Sequence, residues 1–226
     1  MRYFISDVHG EYELFCALLE KIGFSDEDEM YICGDMIEKG GNSVRLARYV
    51  SSFSNIHCII GNHEMSFLKY YRTVMENSPR DFEAVLRVLQ MFFPEGEDAL
   101  DWELVDWLDA LPSYIEGEDF ICVHAGVKTD NEGNILPLCD LSDEELTCDR
   151  RFKDEDVTHN SPKCVFFGHT PTYYVCGDEK ILTYKRKDTP ECLGDFYKIH
   201  LDTGAFKTGV LGCFCADTLE AIYVSK

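Results

Sequence analysis

Positive charge is scarce in this chain. Its 226 residues carry 21 Lys and Arg against 42 Asp and Glu, a formal net charge of −21. A surface of that sign disfavours broad contact with nucleic acid or an anionic membrane. Long apolar runs are missing as well: none approaches the ~18 residues of a membrane-spanning helix. The opening Met1-Arg2-Tyr3-Phe4-Ile5-Ser6-Asp7 enters a strand pattern directly, so no secretory leader is expected and the cytoplasm is the expected compartment. Cysteine is plentiful at 11, but paired spacing is not. The number is odd, no CxxC occurs, and Cys33, Cys58, Cys122 and Cys164 fall inside apolar runs. Reduced thiols packed as small hydrophobes are expected in place of a disulfide framework. The CxC of Cys213 and Cys215 reads as strand packing. Repeats, linkers and low-complexity tracts are absent too, and one domain over 1–226 is expected.

What is present is a repeated grammar of short apolar strand, polar turn and amphipathic helix. Arg2 to Ser6 ends in Asp7-Val8-His9-Gly10, and Leu14, Phe15, Leu18, Leu19 and Ile22 then recur at helical spacing up to Gly23. Met30 to Cys33 ends in Gly34-Asp35-Met36-Ile37-Glu38-Lys39-Gly40. Asn42 or Ser43 is placed to cap the next helix. Ile56 to Ile60 ends in Gly61-Asn62-His63-Glu64, and another helix follows. This alternation predicts an α/β fold with parallel pairing. A helical insertion is expected over about 74–112, opened at Ser78-Pro79, interrupted at Pro94 and resumed over Trp102 to Leu111. Its aromatics Phe92, Phe93, Trp102 and Trp107 are expected in the core. Strands return at Phe120 to Val123, before His124-Ala125-Gly126, and at Cys164 to Phe167, before Gly168-His169-Thr170. Residues 128–162 read as a long polar connection. The tail from Phe196 reads as antiparallel strands.

Five strand ends therefore carry Asp7 and His9, Asp35, Asn62 and His63, His124, and His169. Any one of these is background. Together they are hard to explain by packing, because buried carboxylates and imidazoles are costly unless paired or metal-bound. Carboxylate, imidazole and amide oxygen suit borderline or hard divalent ions. With no cysteine in the set, a structural zinc site is disfavoured. The donors are too many for one ion with an open position, and they suit two ions sharing a bridging carboxylate. Such a pair clamps a phosphoryl group and generates hydroxide for in-line attack.

The blocks DVHG, GDMIEKG, GNHE, HAG and GHT, in this order, resemble those of the metal-dependent phosphoprotein phosphatases, the calcineurin-like metallophosphoesterases. Within them the chain looks most like the bacterial and phage branch that includes the bacteriophage lambda type. The resemblance runs from Asp7 to Asp202-Thr203-Gly204. It implies a β-sandwich of two mixed sheets flanked by helices in four layers, with the site at the strands' C-terminal edge. It also implies two divalent ions, manganese first with iron or zinc as alternatives. Asp7 and His9 would hold one ion, Asp35 would bridge, and Asn62, His124 and His169 would hold the other. His63 would protonate the leaving oxygen, oriented by Glu38.

Two departures bear on substrate. Where the family's block reads Asp-Arg-Gly, this chain has Glu38-Lys39-Gly40, so a bidentate fork is replaced by a point charge. The residue before the GNHE block, commonly Arg in protein phosphatases, is Ile60. Arg150, with Arg151 as runner-up, is the expected phosphate-binding arginine, beside Lys39. The leading expectation is a phosphomonoesterase acting as a serine/threonine protein phosphatase. The alternatives are a symmetrical dinucleoside polyphosphate hydrolase, towards which Ile60 points and from which Glu64 points back, and a non-catalytic metal-binding protein. Expected partners are a phosphorylated protein or small phosphoester and no nucleic acid or membrane, and the expected state is a monomer.

Overall fold

Alternation along the first strand decides the layering. In β1 (Arg2–Ile5) Tyr3 and Ile5 join one apolar cluster while Phe4 joins another on the opposite face. Phe4 stacks on Phe166 across the interior, with ring centroids 3.7 Å apart. Two sheets therefore meet face to face, and each has a second buried face to be covered by helices or loops. The computed structural model describes residues 1–77, 81–93 and 102–226.

The elements follow in order. After β1 come α1 (Tyr12–Ile22), β2 (Glu29–Ile32), α2 (Ser43–Ser51) and β3 (Ile56–Cys58). Three helices are next, α3 (Asn62–Asn77), α4 (Phe82–Phe92) and α5 (Trp102–Asp109), then β4 (Tyr114–Glu116) and β5 (Phe120–Val123). The second half holds α6 (Asp143–Cys148), β6 (Cys164–Phe167), α7 (Tyr173–Cys176), β7 (Leu182–Lys185), β8 (Phe196–His200), α8 (Ala205–Thr208), β9 (Val210–Cys215) and β10 (Glu220–Ser225). One sheet runs β10-β9-β1-β2-β3 and the other β4-β5-β6-β8-β7. Both are mixed. β1, β2 and β3 are parallel, as are β5, β6 and β8, and the outer partners are antiparallel. The expected architecture of two mixed sheets flanked by helices is the one observed.

Helices α1 to α5 cover the outer face of the first sheet, through Leu14, Leu18, Leu46, Phe67, Phe92 and Leu108. The outer face of the second sheet (Ile121, Val123, Val165, Phe167) is closed by Leu138, Leu146 and Phe152 from the connection after β5. Parallel pairing puts the C-terminal ends of β1, β2, β3, β5, β6 and β8 along one edge, where open sheets place their sites.

Several expectations need correction. The connection over 128–162 is not all loop: Ser142 and Glu145 form a reciprocal capping box that starts α6 within an acidic run. The tail is not purely antiparallel, because β8 pairs in parallel with β6. The half-exposed β7 is an additional strand. Trp102 is 63% exposed and meets Tyr71 edge-on, whereas Phe92 and Phe93 are buried as expected. Ser78, Pro79 and Pro94 lie outside the described residues. The cap of α4 is Asp81, whose side chain accepts the Ala84 N–H at 3.0 Å.

All eleven cysteines are free thiols, and Cys33, Cys58, Cys122, Cys164, Cys213 and Cys215 are buried in apolar surroundings. Among the described residues no helix is long and apolar enough to cross a membrane.

Candidate metal centre

The turns leaving the parallel strands are backbone-strained. Among the described residues, seven non-glycine residues have positive φ, and six of them are Asp7, His9, Asp35, Glu38, Lys39 and His169. Non-glycine residues adopt that region at a cost and tend to do so where function demands a particular side-chain aim. The close approach of these turns requires glycine at several positions, Gly61 and Gly168 among them. A Cβ on Gly61 would overlap Asp35 Oδ1, and one on Gly168 would overlap Ser6 Oγ and Asp7 Oδ2.

Asp35 is the hub. Its Oδ1 accepts the His63 backbone N–H at 3.0 Å. Its Oδ2 lies 3.3 Å from His124 Nε2, 3.6 Å from His9 Nε2 and 3.8 Å from His63 Nε2. Two groups of donors converge on this carboxylate: His9, Asp35 and His63 on one side, Asp35, His124 and His169 on the other. Asp7 Oδ1 stands 3.8 Å from His9 Nε2, while its Oδ2 accepts the His169 N–H at 3.0 Å. The Asn62 amide oxygen sits 3.0 Å from His124 Nε2 and 2.8 Å from His169 Nδ1. All six expected ligands thus lie in one place.

The ring orientations fit cation binding. His9 Nδ1–H donates to Ile37 O at 3.0 Å and His124 Nδ1–H to Cys33 O at 2.8 Å. Each Nε2 lone pair is thereby turned towards Asp35. Among the described residues, the buried His169 Nε2 has no hydrogen-bond partner. Electrostatics agree. Burial alone would lower His124, but the Asp35 carboxylate outweighs it and pushes the imidazole up to about 10. Burial would raise Asp35, but the imidazoles, His124 foremost, hold it well below the usual carboxylate range. Burial, helped by His124, brings His169 down to about 4. A buried cluster that draws a proton onto one of its own histidines is short of positive charge, and nitrogen and oxygen donors without sulfur suit divalent cations.

The remaining expected residues fall at the cluster's rim. His63 is held through Nδ1 by the Glu38 carboxylate, which leaves Nε2 facing inward. Lys39 Nζ lies 2.9 Å from His9 Nε2. Arg150 reaches Thr170 Oγ1 at 3.5 Å and lines a cleft of about 340 Å³ together with Asp7, His9, Lys39 and His169. Arg151 lines a separate cavity beside Lys128 and Asp149.

Sequence reasoning missed two groups. Glu64 served only as a branch marker, yet it is fully buried and its carboxylate accepts four backbone N–H groups: Asp35 at 3.0 Å, Met36 at 2.8 Å, Ile37 at 3.0 Å and Gly61 at 2.8 Å. The second is Asp202, which marked only the end of the resemblance and was given no place in the site; it is buried just beyond β8, and burial, and after it Asp7, pushes its carboxyl well above the usual range. The position of Asp202 beyond an apolar strand was a signal of the same kind as the other five.

A profile of the calcineurin-like phosphoesterase family matches residues 3–198. Among curated proteins, a symmetrical bis(5'-nucleosyl)-tetraphosphatase from Buchnera aphidicola subsp. Acyrthosiphon pisum is 28% identical over 165 residues, covering 70% of this chain and 57% of that protein. Another, from Aggregatibacter actinomycetemcomitans, is 32% identical over 141 residues, covering 61% of this chain and 48% of that protein. The chain spans about half the length of the curated relatives it matches. A crystal structure provisionally described as that of a diadenosine tetraphosphatase shares the fold, with a TM-score of 0.70 at 17% identity over 99% of this chain and 92% of that one. With its two mixed sheets, its edge of converging nitrogen and oxygen donors and this match over most of its length, the chain belongs to the calcineurin-like phosphoesterase family, whose members hydrolyse phosphoesters with two divalent metals.

Proposed function

We propose that this chain hydrolyses dinucleoside polyphosphates symmetrically, with two divalent cations held by Asp7, His9, Asp35, Asn62, His124 and His169. The observation that carries the reading is the cleft: Lys39, Arg150 and Lys207 border it beside Asp7, His9 and His169. A chain of phosphates carries more negative charge into a cleft so bordered than a single phosphate does. The similarity to symmetrical tetraphosphatases supports the same substrate class, and Ile60, in the place of a phosphatase arginine, agrees with it. This reverses the order of the two substrate readings made from sequence. Manganese remains the first choice of ion, with iron and zinc compatible with the same donors.

When bound, the ions supply positive charge to the phosphoryl oxygens and make water a competent nucleophile near neutral pH. The chain's own residues do the rest. Arg150 and Lys39 orient the phosphate chain and offset its charge. His63 delivers a proton from Nε2 to the departing oxygen, and Glu38 fixes the ring by accepting from Nδ1. Glu64 keeps the turns that carry Asp35 and Asn62 in register.

The test is incubation with diadenosine tetraphosphate and Mn²⁺, with a chelated control. ADP as the sole nucleotide product, lost on chelation, is the expected result. AMP with ATP, or no turnover, overturns the reading. A serine/threonine phosphatase stays as the second reading on one observation, the His63–Glu38 pair. A poised acid serves an alkoxide leaving group more than a phosphate one.

A further inference from the structure

Large apolar side chains are normally buried, so exposed ones gathered beside a polar site call for a use. Tyr174 is 66% exposed and Phe206 45% exposed. They come from two short helices, α7 and α8, and line the same cleft as Asp7, His9 and Arg150. Tyr173 and Tyr174 lie with ring centroids 4.2 Å apart. Lys207 Nζ is poised 5.2 Å from the Tyr173 ring centre and 5.4 Å from that of Tyr174, and donates to the Tyr174 hydroxyl at 3.3 Å. Gly204, at φ +73°, leaves room for Tyr173, because a Cβ there would meet the Tyr173 ring at 2.6 Å. The cleft thus runs from a nitrogen–oxygen donor cluster, past cations, to exposed aromatic faces with a further cation at their edge.

That sequence of chemistries matches a nucleotide: phosphates at one end, a flat π-system at the other. We infer that Tyr174 and Phe206, edged by Lys207, form a nucleoside subsite that stacks the base of one half of the substrate while the phosphates run past Arg150 towards Asp35. The inference rests on the dinucleotide reading above and adds where the base is held. Stacking on an aromatic face tolerates any base, so the subsite selects for a nucleoside and not for adenine over guanine.

The test measures equilibrium binding of ADP and of inorganic pyrophosphate to the whole chain, by calorimetry, for the unaltered protein and for Tyr174→Ala and Phe206→Ala. Loss of one stacking face weakens binding by roughly tenfold, so the ratio of ADP to pyrophosphate dissociation constants rises by about that factor in each variant. Tyr174→Phe keeps the ring and keeps the ratio. Both truncations are at exposed side chains, and circular dichroism checks that they fold. Ratios unchanged in both alanine variants, in a protein that cleaves diadenosine tetraphosphate, overturn the subsite alone. An unaltered protein that binds ADP no better than pyrophosphate and leaves diadenosine tetraphosphate intact overturns the subsite together with the substrate reading.

Discussion

Glu64 accepts the backbone N–H of Asp35 at 3.0 Å, and this contact ties together the segments that leave the paired strands β2 and β3, beyond the end of their ladder. Three more N–H groups, of Met36, Ile37 and Gly61, converge on the same carboxylate. The turn that carries Asp35 and the start of α3, with Asn62 and His63, are therefore tied to one buried carboxyl group. Glu64→Gln keeps the shape but turns an amide NH₂ towards backbone donors. Leaving buried donors unpaired costs about 2 kcal/mol, and misplaced supporting groups weaken metal binding at least tenfold. Thermal denaturation and Mn²⁺ titration should both register the change. A variant with full stability and full affinity would show that Glu64 only fills space.

A second prediction concerns His63. A general acid contributes on the order of 10²–10⁴ in rate, and most where the leaving oxygen is most basic. His63→Gln should therefore slow a phosphoserine peptide far more than diadenosine tetraphosphate, whose departing group is a phosphate oxygen. Metal content by elemental analysis should stay near that of the unaltered protein. Equal slowing of both substrates, with loss of metal, would instead make His63 a ligand beside His9 and Asp35, with which its ring nitrogen is grouped.

Backbone proximity gives a third. Gly61 lies so close to Asp35 that a Cβ would overlap its carboxylate. Gly61→Ala should displace Asp35 and lower Mn²⁺ affinity at least tenfold, measured by calorimetry. Unchanged affinity would mean that the turn relaxes without moving the shared carboxylate.

Acid sensitivity gives a fourth, away from the site. His159 is buried; its Nε2–H donates to Tyr197 O at 2.7 Å, and Nδ1 accepts from Arg186 Nη2 at 3.3 Å. Burial, joined by the Arg186 charge, lowers it to about 4. Between that value and the ordinary one the unfolded chain binds the extra proton, so stability falls as pH drops from 6.5 towards 4. The contribution is roughly 2 kcal/mol by pH 4.5. His159→Gln should lose less stability than the unaltered protein over this range in urea titrations. Parallel losses would remove His159 as a source of the acid sensitivity.

Local pattern made much of this molecule readable. α1, β5 and β6 occupy the expected residues because each is a clean apolar period ended by Gly or His. The donor set was legible because one chemistry recurs after five strands. Long-range relations were not. The parallel pairing of β8 with β6 depends on a crossover, and the clasp by Glu64 joins residues 29 apart. The aromatic faces of Tyr174 and Phe206 sit on helices of four residues each, too short to show a period. The capping box at Ser142 was present in the sequence but was masked by the acidic run around it.

The central claim is the substrate class, and it is tested most directly by comparing kcat/KM of the Mn²⁺-loaded protein on diadenosine tetraphosphate and on a phosphoserine peptide. The account predicts at least a tenfold preference for the dinucleotide, with ADP as its only nucleotide product. A preference for the peptide would contradict it, returning Lys39 and Arg150 to the recognition of a single phosphate.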